Sequence, residues 1–121
     1  MSALGLRTCI YKVDDIAAAK KWFADAFEAQ PYFDEAFYVG FNVGGYELGL
    51  LPDSRNKARS DNVMTYWGVE NIDAEVARFL ELGATVHEEP TNVGGDIVTA
   101  SVLDPWGNAI GLIYNPEFGN G

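Results

Sequence analysis

Few side chains in this 121-residue chain are equipped for chemistry, and they are far apart in sequence: the carboxylate Glu47, the single histidine His87 and the single cysteine Cys9. Glu47 lies in Tyr46-Glu47-Leu48-Gly49-Leu50-Leu51, where strand alternation puts Glu47, Gly49 and Leu51 on one face. There it is a candidate general base or a counter-ion for a cationic ligand, set against the plainer reading of a solvated rim carboxylate. Lys12 is placed in the same way near the rim. His87, in Val86-His87-Glu88-Glu89, reads first as a partly exposed structural histidine and second as a weak candidate proton shuttle. Cys9 reads as a small buried hydrophobe. As the only cysteine it excludes an internal disulfide, which suits a reducing, cytoplasmic compartment.

Composition narrows the partners. Eight basic and 18 acidic residues give a formal charge of −10, and Arg55, Lys57 and Arg59, read as a solvated linker, form the one tight basic cluster. Nucleic acids and anionic membranes need an extended cationic face, so neither is expected; a cationic or neutral small molecule is favoured. Apolar residues make up 48% of the chain, as in a packed domain, yet no run is long enough for a membrane helix and Met1 to Arg7 reads as no signal peptide.

These residues must be positioned by elements that occur twice. Val13, Ile16, Ala18 and Phe23 recur 56 residues later as Val69, Ile72, Ala74 and Phe79; Gly45, Gly49 and Leu50 recur 62 residues later as Gly107, Gly111 and Leu112. Each copy opens with a β-branched and aromatic strand, Thr8–Val13 and Met64–Val69. Asp14-Asp15 and Glu70-Asn71 then supply N-caps for helices with an apolar stripe, Ile16, Ala19, Phe23, Ala26 and Phe27 in one and Ile72, Val76, Phe79 and Leu80 in the other. Gly83 marks a left-handed C-cap. Three strands follow in each copy, Pro31–Asp34, Phe37–Val43 and Tyr46–Leu51, then Thr85–Glu88, Ile97–Leu103 and Ala109–Tyr114. Asn42-Val43-Gly44-Gly45 and Asp104-Pro105-Trp106-Gly107 are hairpin turns, and Glu89 to Asp96 reads as a mobile loop. The expectation is one α+β domain of two tandem βαβββ modules, about 6–52 and 63–115, joined by a polar linker over 53–62.

Tyr11-Lys12-Val13-Asp14-Asp15-Ile16 running into Lys21-Trp22-Phe23, Gly68-Val69-Glu70-Asn71-Ile72, and above all Leu103-Asp104-Pro105-Trp106-Gly107-Asn108-Ala109-Ile110-Gly111-Leu112-Ile113 carry a resemblance. Together with the order of elements they resemble the vicinal-oxygen-chelate superfamily, which includes glyoxalase I, bleomycin-resistance proteins and extradiol dioxygenases. The resemblance implies sheets that curl into an open cup with helices on the convex side. It also implies metal ligands, one from the first and one from the last strand of each module. Those positions are Thr8, Gly49, Met64 and Gly111, none of which offers a side-chain ligand for a hard or borderline divalent ion. The chain therefore looks like a metal-free member, with no cofactor expected and the glycines widening the cup.

Alternation then lines the cup with Thr8, Ile10, Lys12, Glu47, Gly49 and Leu51 from the first module and Met64, Tyr66, Gly111 and Ile113 from the second, Glu47 being the only carboxylate on a cup-facing strand position. Trp106, at the third position of its turn, is a further ligand or interface candidate. Three function classes follow. The first is binding or sequestering of an aromatic or cationic metabolite or antibiotic, as in bleomycin resistance. The second is a glyoxalase-like lyase or isomerase, and the third a non-catalytic interaction module. A homodimer is expected from the resemblance, and the Glu89–Asp96 loop is expected to gate the cup.

Overall fold

The computed structural model describes residues 6–53 and 64–116. The chain divides into two compact units, Met1–Lys57 and Ala58–Gly121. In the first module β1 (Thr8–Val13) leads into α1 (Ile16–Phe27), then β2 (Pro31–Glu35), β3 (Tyr38–Val43) and β4 (Tyr46–Pro52). In the second, β5 (Tyr66–Gly68) leads into α2 (Ile72–Glu81), then β6 (Thr85–Gly94), β7 (Ile97–Leu103) and β8 (Ala109–Tyr114). This is α+β with two tandem βαβββ modules, each built on an open four-stranded sheet, in the orders β1-β4-β3-β2 and β5-β8-β7-β6. In both sheets the first strand lies parallel to the last, and the remaining pairs are antiparallel.

The helices start where side-chain acceptors are available. Asp15 accepts a hydrogen bond from the Ala18 N–H, and Asn71 one from the Ala74 N–H, each 3.0 Å long and satisfying a donor that the first turn leaves unpaired. Alternation decides what the helices cover. Tyr11, Val13, Val39, Phe41, Leu48 and Leu50 bury one face of the first sheet with Ala19, Phe23 and Ala26 of α1. Ala100, Val102, Ile110 and Leu112 do the same with Ile72, Val76 and Phe79 of α2. Phe23 is the centre of the first core, with Tyr11, Trp22 and Phe27 at ring-centroid distances of 5.5, 4.9 and 5.9 Å. Cys9 is only partly buried.

Two turns have sequence-determined shapes. Gly44 and Gly45 both adopt positive φ (61° and 92°), as a two-residue hairpin turn requires, and Asn42 Oδ1 accepts from the Gly45 N–H. In the second module the buried Asp104 carboxylate accepts from the backbone N–H groups of Trp106 and Asn108, both at 2.8 Å, and from Asn108 Nδ2 at 2.9 Å. Burial pushes the Asp104 carboxyl up, and these donors pull it back.

One expectation needs correcting. Glu89 to Asp96 is not a free loop: β6 continues through Gly94, still paired with β7, and the chain reverses at Gly95-Asp96. Pro90 is tolerated because β6 is an edge strand and the register shifts between Glu88 and Thr91, so no ladder donor is missed. The segment expected to gate the cup is thus strand as far as Gly94. At the other edge β5 is shorter than expected, Tyr66–Gly68, and Met64 lies ahead of it.

Candidate functional site

The face of the first sheet turned away from α1 concentrates the chemistry of the first module. Thr8 on β1 pairs with Glu47 on β4, so both side chains are on that face. Ile10 pairs with Gly49, and Gly49 with Gly40, so the next row is bare of side chains at its centre. Two tyrosines cover it. A Cβ at Gly40 would lie 3.3 Å from the ring of Tyr32, and one at Gly49 would collide with the Tyr38 hydroxyl. Gly49 therefore does not widen the surface, because Tyr38 occupies the volume its side chain would have taken.

A β-bulge brings Tyr32 to this face. The β2–β3 register steps from Pro31–Phe41 to Phe33–Gly40, so Tyr32 is an extra residue and both Tyr32 and Phe33 lie opposite Gly40. Asp34 then returns to the helix side, where it meets Lys20 at 3.0 Å. Tyr32 (62% exposed), Phe33 (40%) and Phe37 (64%) are presented to solvent. Phe33 lies 6.0 Å from Phe37 and 6.1 Å from Tyr38, centroid to centroid.

Glu47 is where these groups converge. Thr8 Oγ1 donates to Glu47 Oε1 at 2.9 Å, and the Tyr32 hydroxyl donates to Oε2. The Tyr32 bond, seconded by Thr8 and Tyr38, holds the Glu47 carboxyl below its ordinary range against the opposing effect of desolvation. The phenols respond in the opposite sense. Tyr32 is raised, first by its bond to Glu47, and Tyr38 is pushed up to about 12, first by burial and then by the hydrogen bond and charge of Glu47. Near neutral pH the site is thus a fixed negative charge between two protonated phenols. A carboxylate stabilised in its ionised form is a weak base, better suited to being a counter-ion than to abstracting a proton.

The other candidates take these places. Ile10 and Lys12 are exposed on the same face of β1, Lys12 Nζ 3.9 Å from Asp53, and Leu51 is half-buried on β4. In the second module Tyr66 pairs directly with Gly111, and its ring comes within 2.7 Å of where a Gly111 Cβ would be. Met64, Ile113, Trp106 and His87 are half-buried, His87 at a register shift in β6. Glu47 is not alone in its kind: Glu88, opposite the buried Ser101, accepts from Ser101 Oγ at 2.9 Å on the helix-averted face of the second sheet. That same register shift, between Val86 and Glu88, resets the alternation from which facing is read. Tyr32, Phe33, Phe37 and Tyr38 were not singled out by strand alternation, although four aromatics within residues 32–38 were a visible signal.

The residues do not fit a metal ion of the kind that the resemblance implies. In the first module Gly49 has no donor, Tyr38 fills its place and the Thr8 hydroxyl is engaged by Glu47. In the second, Gly111 has none and the Thr65 carbonyl and Tyr66 ring crowd it. Among the described residues no three His, Cys, Asp or Glu side chains group to hold one. Two open depressions of about 400 and 280 Å³ lie elsewhere, at the starts of α2 (Glu70, Asn71, Asp73) and α1 (Ile16, Lys20, Asp34).

The fold recurs in solved structures at low sequence identity. A glyoxalase-related enzyme from Fulvimarina pelagi superposes with a TM-score of 0.80 at 13% identity, over 98% of this chain and 94% of that one. The fosfomycin resistance protein FosX from Mesorhizobium loti gives 0.76 at 15% identity, over 96% of each chain. Lactoylglutathione lyase from Agrobacterium tumefaciens gives 0.71 at 18%, over 98% and 99%. No curated protein matches the chain in sequence. The family model described as Glyoxalase/Bleomycin resistance protein/Dioxygenase superfamily matches residues 5–112, nearly the whole repeat-bearing length, and the chain belongs to that superfamily.

Proposed function

We propose that this superfamily member binds a small organic cation, aromatic ones included, on the open face of its first module, with Glu47 as counter-charge. The observation that carries this is the ionised Glu47 carboxylate held between Tyr32 and Tyr38, with Phe33 and Phe37 exposed beside them. Ring faces attract cations, and a carboxylate close by adds directional charge. The formal charge of −10 raises the local concentration of such ligands. Sequestration, as in bleomycin resistance, is the role in keeping with a site that offers charge and rings but no activated nucleophile. The protein would act as a cytoplasmic homodimer, and among the described residues no helix is long and apolar enough to cross a membrane.

The lyase or isomerase reading is weaker, because no donor set for a metal comes together among the described residues and Glu47 is a poor base. A pure interaction module is separated from the binding reading by titration. Benzylammonium, benzyltrimethylammonium and the neutral neopentylbenzene are titrated while the melting temperature is followed. Bound ligand stabilises the fold by RT ln(1 + [L]/Kd), about 2.7 kcal/mol at 100 Kd. At least one cation is expected to stabilise the protein saturably, the hydrocarbon is not, and Glu47→Gln abolishes the effect. A protein indifferent to both cations, or stabilised equally by the hydrocarbon, overturns the reading.

A further inference from the structure

Resting on that reading, we infer that the ligand's cationic group is a fully alkylated ammonium, not a primary ammonium or a guanidinium. The argument is one of acceptor capacity. A carboxylate has about four lone-pair sites. Thr8 Oγ1 takes one on Oε1, the Tyr32 hydroxyl takes one on Oε2, and the Tyr38 hydroxyl adds a further hydrogen-bonding contribution. Glu47 therefore keeps its full charge while each of its oxygens already accepts one hydrogen bond.

A primary ammonium brings three N–H donors, and a guanidinium five. Set against this face, either gives up part of its water shell to aromatic carbon: Tyr32, Phe33 and Phe37, which lie exposed, with Tyr38 beside Phe33. Donors left without acceptors in such surroundings are costly. A quaternary ammonium has no N–H to satisfy. It needs negative charge nearby and ring faces to lie on, the arrangement by which aromatic cages recognise choline-like groups. Tyr32 serves both needs, since its hydroxyl occupies Glu47 while its ring is laid over Gly40 and the residue stays 62% exposed. Among the described residues, Lys12 is the cationic side chain on this face of β1, and it is drawn to the far end of the strand, where its Nζ lies 3.9 Å from Asp53.

Calorimetric titration of the intact protein with benzyltrimethylammonium and with benzylammonium tests the inference. The quaternary probe is expected to bind about threefold more tightly, the scale of one exposed cation–π contact. Tyr32→Phe keeps the ring and releases a lone pair on Glu47, so benzylammonium should gain at least severalfold and the preference should shrink. Because Tyr32 is exposed, the variant folds, which circular dichroism checks. Equal or tighter binding of benzylammonium by the wild-type protein, or a preference that Tyr32→Phe leaves unchanged, overturns the inference while leaving cation binding intact. Binding of neither probe overturns the underlying reading instead.

Discussion

Gly49 and Gly111 occupy the same place in the two modules, on the last strand beside the first, and each has a tyrosine laid against it. The tyrosines come from different directions. Tyr66 reaches Gly111 from the adjacent first strand β5, whereas Tyr38 reaches Gly49 from β3 on the other side, and β1 offers Ile10 instead. The carboxylates are exchanged as well: Glu47 is on the inner strand β4, ringed by phenols, while Glu88 is on the edge strand β6 and answers only to Ser101 among the bonds described above. The helix-facing residues, by contrast, correspond closely, Phe23 with Phe79 and Leu50 with Leu112. A duplicated fold must keep the face that buries its core. The opposite face is under no such demand, so it is there that the modules differ and there that one of them has gathered a charged, aromatic site.

The largest effect should come from what the modules share. Phe23→Ala and Phe79→Ala each remove a buried ring and should cost about 3–5 kcal/mol in urea unfolding. Phe23 should stand at the upper end, because three other rings lose their partner with it. A cost below about 1 kcal/mol at either position would mean that the two cores are not built alike.

Next in size is the response of the two glycines. A Cβ at Gly111 would lie 2.6 Å from the Thr65 carbonyl oxygen, which is backbone and cannot step aside. At Gly49 it would strike the Tyr38 hydroxyl, the tip of a side chain that can swing away. Gly111→Ala should therefore destabilise by about 2–3 kcal/mol, and Gly49→Ala by about 1 kcal/mol. Gly49→Ala should nonetheless abolish the cation site by displacing Tyr38. The reverse order of stabilities would remove the distinction drawn between a ring borrowed from β3 and one crowded by β5.

The smallest effect is one of pH and concerns the first module. Tyr38 titrates above its ordinary 10.0, at about 12, so its contribution to stability is intact below pH 10 and is lost as the pH climbs toward 12. Glu47 titrates below its ordinary 4.5, so its contribution is intact above that pH and is lost as the pH falls further. In an ultraviolet titration of the six tyrosines, Tyr32 and Tyr38 should ionise late, and Glu47→Gln should bring both down. An unchanged curve in Glu47→Gln would show that the carboxylate does not couple to the phenols.

Much of the framework was legible because its determinants are local or periodic. β1, β7 and β8 begin and end where alternation and turn residues set them, and Asp15 and Asn71 cap the helices. The site was legible only in part. Thr8, Glu47 and Gly49 could be placed on one face, since register along a regular strand follows from a period of two. Tyr32 and Phe33 could not, since alternation sends neighbours to opposite faces and only the bulge sets both opposite Gly40, with Tyr32 reaching Glu47. Glu88 was hidden in the same way, and the long β6 was missed because Pro90 reads as a breaker until its edge position is known.

From the order of its residues alone, the chain specified a repeated βαβββ path, the strand faces that pack on the helices, the absence of metal-ligand side chains at four positions and an excess of negative charge. Folding decided what stands over the bare glycines and which hydroxyls reach Glu47. The reason is physical: packing patterns repeat along one strand and can be read in one dimension, whereas a bulge or a diagonal reach exists only once strands from distant parts of the chain lie side by side.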